Sequence, residues 1–335
     1  MQINGINTIG VPKEIKNSEG RVGLRPSDVE KLSNLGYTVF VEKDAGEKCG
    51  FSDQQYSNAK AIICDTAEEV YTLAHLIVKV KEPQESEYKY LDDDKFMFCY
   101  FHFASNEALN ETRFTKNYFP IPYEQIVIDG ETPLLKPMSE IAGKLSIQKG
   151  AEYLSHFGKL IGGSTGVPAA NVLIIGGGVA GKNAAKIARG MGANTCILDK
   201  NPKTLESIYY TLPGTECLLS SDEIILEKCS WADLIVCAVH SVGKQTDKLI
   251  NDKHFDVMKK NSILIDISID QGGCTSASKP TTHENPTYVY KNTLMYCVAN
   301  MPGLTNVTST HALCNASFPI LLDLLNNPKK YYNLF

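Results

Sequence analysis

Short apolar runs separated by polar, helix-forming stretches recur along the whole chain. In the first third they are residues 8–11, 38–41, 61–64, 76–80 and 96–100. Each has the length and composition of a strand buried on both faces of a sheet. Between them, residues 27–35 and 66–74 have helical spacing, and each opens on a Ser or Thr suited to an N-cap. Such alternation predicts a parallel sheet with crossover helices. The pattern returns at 171–175, 195–198, 234–239, 262–267 and 294–298. Residues 309–326 then read as a long apolar helix interrupted by Pro319.

One turn in this pattern has its own chemistry. Gly176-Gly177-Gly178-Val179-Ala180-Gly181 stands between the 171–175 strand and a helix over 182–191 that ends at Gly192. Gly176 permits a tight turn, Gly178 lets backbone approach a pyrophosphate, and Gly181 lets helix pack closely on strand. The next strand ends in Asp199, near the spacing of a ribose-binding acid. A carboxylate there accepts bonds from both ribose hydroxyls and repels a 2′-phosphate, which favours NAD over NADP even with Lys200 beside it. Because the fingerprint appears only near residue 176, the first sheet is expected to be a separate domain. The expected fold is α/β, with two Rossmann-like doubly wound domains of parallel strands flanking a central cleft. Residues 1–134 plus 308–335 form the substrate domain and 135–307 the NAD-binding domain.

Composition narrows the class. The 335 residues, 43% of them hydrophobic and 21% charged, suit a two-domain globular protein. A net charge of -5 gives no basic footprint for nucleic acid. No apolar run reaches the length of a membrane span, and the first residues lack the pattern of a signal peptide. The ten cysteines form no CxxC pair, and several lie inside strand-like runs, as small hydrophobes do. A reducing, cytoplasmic protein without structural metal is expected.

Candidate chemistry gathers at strand ends, where open α/β sheets bind ligands. Lys79 and Lys81 close the fourth strand before Pro83, and alternation points both to one side. His102 follows the fifth strand, a natural proton carrier near neutral pH. Arg21 lies in the loop after the first strand and offers a planar fork for a carboxylate. Asp270, in Ile269-Asp270-Gln271-Gly272-Gly273-Cys274, follows a strand directly, and Asn300-Met301-Pro302-Gly303 makes a comparable loop. Each is also compatible with a plain role as solvated loop residue, turn cap or core histidine.

Taken in order, these motifs resemble the alanine dehydrogenase family, which includes the nucleotide-binding domain of proton-translocating transhydrogenases. The matching stretches are Gly10-Val11-Pro12-Lys13-Glu14, Lys79-Val80-Lys81-Glu82-Pro83, Pro137-Met138-Ser139-Glu140, the Gly176 fingerprint, Asp270-Gln271-Gly272-Gly273-Cys274 and Tyr296-Cys297-Val298-Ala299-Asn300-Met301-Pro302. The resemblance implies that Arg21 and Lys81 bind the substrate carboxylate and that His102 and Asp270 exchange protons during catalysis. It places Ser139, Val239 and Asn300 at the cofactor, beside Gly176, Gly178, Val179, Ala180, Gly181 and Asp199. The implied reaction is L-alanine, NAD and water giving pyruvate, ammonia and NADH. A homo-oligomer, hexamer or dimer, is implied as well.

Four features depart from the family pattern: a short C-terminus, a short connection at 157–160, His240 in a loop usually more apolar, and Phe103 with Ser105 where other residues are usual. They keep two alternatives open, a reductive condensation of pyruvate with an amino acid (as in carboxyethylornithine synthase) and a non-catalytic NAD-binding sensor.

Overall fold

The computed structural model describes residues 6–92, 94–103, 106–239 and 246–334. Ser105 and His240 lie outside them. The chain divides into two compact units, the first made of Met1–Met138 with Thr305–Phe335 and the second of Ser139–Leu304.

The first unit runs β1 (Thr8–Val11), α1 (Pro26–Asn34), β2 (Thr38–Glu42), α2 (Asp53–Asn58), β3 (Ile62–Cys64), α3 (Ala67–Leu73), β4 (Leu76–Val78), β5 (Lys95–Cys99), α4 (Glu107–Thr115) and β6 (Tyr118–Pro122). Its six strands are all parallel, in the order β3-β2-β1-β4-β5-β6. The order reverses between β1 and β4, which makes the carboxyl ends of those two strands the natural crevice. Phe40, Val70, Tyr71, Ile77, Met97 and Phe101 form part of the core on one face.

Two local expectations change. The first helix is capped at Arg25 rather than Ser27, because Pro26 suits the first helical position and Asp28 accepts from the Arg25 backbone N–H at 3.1 Å. The pairing of β4 as a regular strand ends at Val78, so period-two alternation does not extend to Lys79 and Lys81.

α5 (Leu135–His156) carries the chain into the second unit: β7 (Asn171–Ile175), α6 (Val179–Gly190), β8 (Asn194–Asp199), α7 (Pro202–Thr211), β9 (Glu216–Leu219), α8 (Asp222–Trp231), β10 (Leu234–Cys237), α9 (Asp252–Val257), β11 (Ser262–Asp266), β12 (Thr287–Tyr290) and β13 (Thr293–Tyr296). The sheet order is β12-β13-β11-β10-β7-β8-β9. Six strands are parallel, and β12 adds an antiparallel edge to β13. Leu173, Ile175, Leu198, Ile235, Leu264 and Met295 belong to its core. The switch point lies between β7 and β10.

α10 (Asn306–Asn326) belongs to the first unit, and Pro319 does not end it. The ring removes one intrahelical hydrogen bond, but buried Phe318, Ile320 and Leu321 hold the helix on both sides of it. No helix among the described residues is long and apolar enough to cross a membrane.

Candidate active site

In the first unit the polar groups meet around one aromatic ring. Tyr100 continues from β5, with Lys81 Nζ 6.0 Å from its ring centroid. The His102 imidazole lies parallel to the same ring, centroids 5.7 Å apart and planes within 1°. The Tyr100 hydroxyl donates to the Leu134 carbonyl at 2.5 Å, which fixes the ring in its plane. His102 has φ +51°, a left-handed conformation that a non-glycine residue adopts at a cost. Glu124, just past β6, stabilises it by accepting the His102 backbone N–H at 2.7 Å and that of Phe101 at 3.2 Å.

Arg21 is almost wholly buried and rests on Glu19. Its Nε donates to one Glu19 oxygen at 2.7 Å and Nη2 to the other at 2.5 Å, while Nη1 lies 3.0 Å from Met138 Sδ. Burial by itself would raise the Glu19 carboxyl, but the Arg21 guanidinium overcomes it and brings the pKa down to about 2. The pair is therefore ionised across the physiological range.

Lys79 and Lys81 take different partners. Lys79 Nζ is buried between Glu87 at 2.9 Å and Glu14 at 3.5 Å. The other Glu14 oxygen accepts the backbone N–H groups of Val80 at 2.6 Å and Lys81 at 3.2 Å. Burial, opposed by Lys79, pushes the Glu14 carboxyl up from 4.5 to about 7. Glu14, Glu19, Tyr100 and Glu124 thus hold the residues that the sequence singled out. Glu14 and Glu124 act on strand ends 22 to 67 residues away, whereas Tyr100 stands two residues before His102 and Glu19 two before Arg21, which were readable signals.

The second unit builds its crevice from the glycine turn. Gly176 has φ +103°, and a Cβ there would stand 2.5 Å from the Ala238 carbonyl. A Cβ on Gly181 would lie 1.7 Å from the Gly176 carbonyl, so helix and turn pack at a distance only glycine allows. At Gly178 an added Cβ meets nothing within 4 Å, leaving open space before the N-terminus of α6, where Val179 and Ala180 begin the helix. Asp199 ends β8 and accepts from Gly177 N–H at 2.7 Å and Asn201 N–H at 2.8 Å, each oxygen keeping a lone pair. Ser139 lies one turn before Gly143 on α5, and Gly143 packs against the Ala180 carbonyl. These groups fit a dinucleotide.

Across the switch point, the Val239 carbonyl accepts from Ser268 Oγ at 2.8 Å. Exposed Asp270 comes next on the turn after β11, and its Oδ1 lies 3.4 Å from Asn300 N. Asn300 also has a left-handed φ, +60°, and its carbonyl is 3.2 Å from His283 Nε2. Val239, Asp270 and Asn300 are therefore tied into one set of loops at the carboxyl ends of β10, β11 and β13.

Comparison with known proteins agrees with this geometry. Residues 10–142 match the family "Alanine dehydrogenase/PNT, N-terminal domain" and residues 146–334 its C-terminal domain. The chain is 44% identical over 318 residues to an alanine dehydrogenase of Staphylococcus haemolyticus, covering 93% of this chain and 85% of that one. A solved L-alanine dehydrogenase superposes with a TM-score of 0.92 at 39% identity, covering 97% and 91%. A transhydrogenase from Sinorhizobium meliloti shares the fold at a TM-score of 0.83 and 22% identity, covering 94% and 92%. The cofactor of such a fold is a dinucleotide, and the chain belongs to the alanine dehydrogenase/PNT family.

Proposed function

We propose that the protein catalyses the NAD-dependent oxidative deamination of L-alanine to pyruvate and ammonia, together with the reverse reductive amination. The observation that carries this reading is the grouping of a cation and a proton carrier, Lys81 and His102, about the ring of Tyr100. An amino acid needs a positive clamp for its carboxylate, and imine hydrolysis needs a group that both gives and takes protons.

In this reading Arg21 and Lys81 bind the substrate carboxylate, with Lys81 also beside the reacting carbonyl. Glu19 holds Arg21 through Nε and Nη2, with Nη1 turned toward Met138 Sδ. The dinucleotide crevice would hold NAD, which would supply the hydride acceptor for oxidation at the alanine α-carbon. Asp270 accepts a proton from the water that attacks the iminium and returns it to the carbinolamine nitrogen. His102 takes the proton from the carbinolamine oxygen as ammonia leaves, and gives it back in the reverse direction. The Gly176–Gly181 turn and α6 hold the pyrophosphate. Asp199 accepts from the ribose hydroxyls and repels a 2′-phosphate, so NAD is preferred to NADP. Ser139, Val239 and Asn300 contact the remainder of the cofactor. We also place the protein in the cytoplasm, in keeping with ten free cysteine thiols, and expect a homo-oligomer as the family resemblance implies.

The test is absorbance at the NADH band with NAD and a panel of L-amino acids, then with NADH, ammonium and 2-oxo acids. NADH formation with alanine and its consumption with pyruvate plus ammonium are expected. Activity only with pyruvate and a larger amino acid would assign a condensing reaction instead. His102→Ala should abolish turnover while dinucleotide affinity stays nearly intact, and retention of most of kcat would remove His102 from the mechanism.

A further inference from the structure

The turn that carries Asp270 is long, exposed at its tip and rich in glycine, yet it is braced from beneath by one buried carboxylate. Asp266, at the end of β11, is completely buried. Its Oδ1 accepts from Ser268 N–H at 3.0 Å, at the entrance of the turn. Its Oδ2 accepts from Cys274 N–H at 2.9 Å, at the exit, and from Ser278 Oγ at 2.5 Å. Between those points stand Ile269, Asp270, Gln271 and two glycines in left-handed conformations, Gly272 at φ +91° and Gly273 at φ +78°. Gly273 passes so close that a Cβ would lie 2.7 Å from Asp266 Oδ2.

A second brace closes the turn from outside. Lys248 Nζ donates to the carbonyls of Gly272 at 2.5 Å and Gly273 at 2.9 Å. Thr246 N–H donates to the Gln271 carbonyl at 3.0 Å, and Leu249 N–H to that of Cys274 at 2.9 Å. With carbonyls held by Lys248 and N–H groups held by Asp266, the backbone on both sides of Asp270 has fixed partners.

We propose that Asp266 is a positioning residue for Asp270, with Lys248 as its counterpart on the other side of the turn. The inference rests on the proton-transfer role proposed for Asp270. An asparagine at 266 would keep the shape but present an amide NH2 to a backbone N–H, that of Ser268 in one orientation or of Cys274 in the other, so one end of the turn must move. A displacement of the order of 1 Å at a reacting group costs ~10–100-fold in rate.

The test is a double-mutant cycle read in kcat, with dinucleotide affinity and the unfolding midpoint measured alongside. Asp266→Asn should lower kcat by ~10–100-fold with dinucleotide affinity within about threefold. In an Asp270→Asn background the same change should cost little more, because the group it positions is already gone. Lys248→Met, at an exposed lysine, should give ~3–10-fold by the same logic, and it decides the matter if Asp266→Asn does not fold. Equal losses in both backgrounds would overturn the proposal, as would an unchanged kcat. If Asp270→Asn alone keeps the full rate, the role given to Asp270 fails, and that result is separate from the behaviour of Asp266.

Discussion

The two units wind their sheets in the same order, and at the switch point they build the same joint from different residues. In the first, Val11 pairs with Val41, and two residues on the Lys13 N–H donates to Glu42 at 2.7 Å. In the second, Ile175 pairs with Leu198, and two residues on the Gly177 N–H donates to Asp199 at 2.7 Å. An acid at the end of the second strand holds the turn after the first strand in both cases. The two joints part at the next residue of the chain. After Gly178 a helix begins at once, and its N-terminus faces open space. After Lys13 comes Glu14, whose carboxylate reaches across and takes the N–H groups of Val80 and Lys81. One crevice leaves a helix N-terminus clear for an anionic ligand, and in the other a carboxyl group of the chain itself takes the neighbouring N–H groups. The strand-end acid is thus a device of the fold, and the glycines decide whether the space beside it stays empty.

The sharpest break of this comparison is Gly181→Val, which forces atoms into the Gly176 carbonyl. Dinucleotide affinity should fall by on the order of a hundredfold or more in a fluorescence titration. Binding that survives would show that the close packing of α6 is not what forms the crevice.

Next comes the pair Asp199→Ala and Glu42→Ala. Both lose a charged bond to a turn, so both should lower thermal stability by a similar amount, about 1–3 kcal/mol. Only Asp199→Ala should also weaken NAD binding, by ~10–100-fold, and narrow the preference over NADP. A matching loss of affinity in Glu42→Ala would mean that the first crevice also contributes to the cofactor.

The smallest effect concerns Glu14. Its carboxyl is pushed from 4.5 to about 7 on folding, so between those values the folded protein binds a proton that the unfolded chain has lost. Its contribution to stability therefore falls as the pH rises from about 4.5 to about 7. In melting curves against pH, Glu14→Gln should lack that decline. An identical pH profile in the variant would place the titration elsewhere.

How much of this was written locally in the chain depends on position in the sheets. Central strands such as β1, β7, β10 and β11 are short apolar runs and read clearly. Three of the four edge strands, β6, β9 and β12, do not. β6 contains Pro120 and Pro122, which an edge tolerates and a central strand does not. β9 and β12 are partly exposed, and their apolar runs, 217–219 and 288–290, are only three residues long. The same limit applies to the candidate site. Arg21, Lys81 and His102 stand out as residue types, and the fold sets them in one unit with Tyr100. The carboxylates that hold them do not stand out, because Glu14 and Glu124 act on backbone N–H groups 66 and 22 residues distant. Acids placed in that way are chosen by tertiary geometry, which no local spacing records.

The division of the first unit between Met1–Met138 and Thr305–Phe335 sets an order on how the molecule is made. Thr310, on α10, accepts from the Val22 N–H at 3.3 Å and lies 3.0 Å from Cys49 Sγ, so the loop bearing Arg21 is anchored on a late helix. On the ribosome, every residue of the glycine-turn unit emerges before that anchor does. The unit built for a dinucleotide can complete itself during translation, whereas the Arg21 loop waits for the last helix. A nascent chain cut short before α10 would then carry a finished crevice and an unfinished clamp.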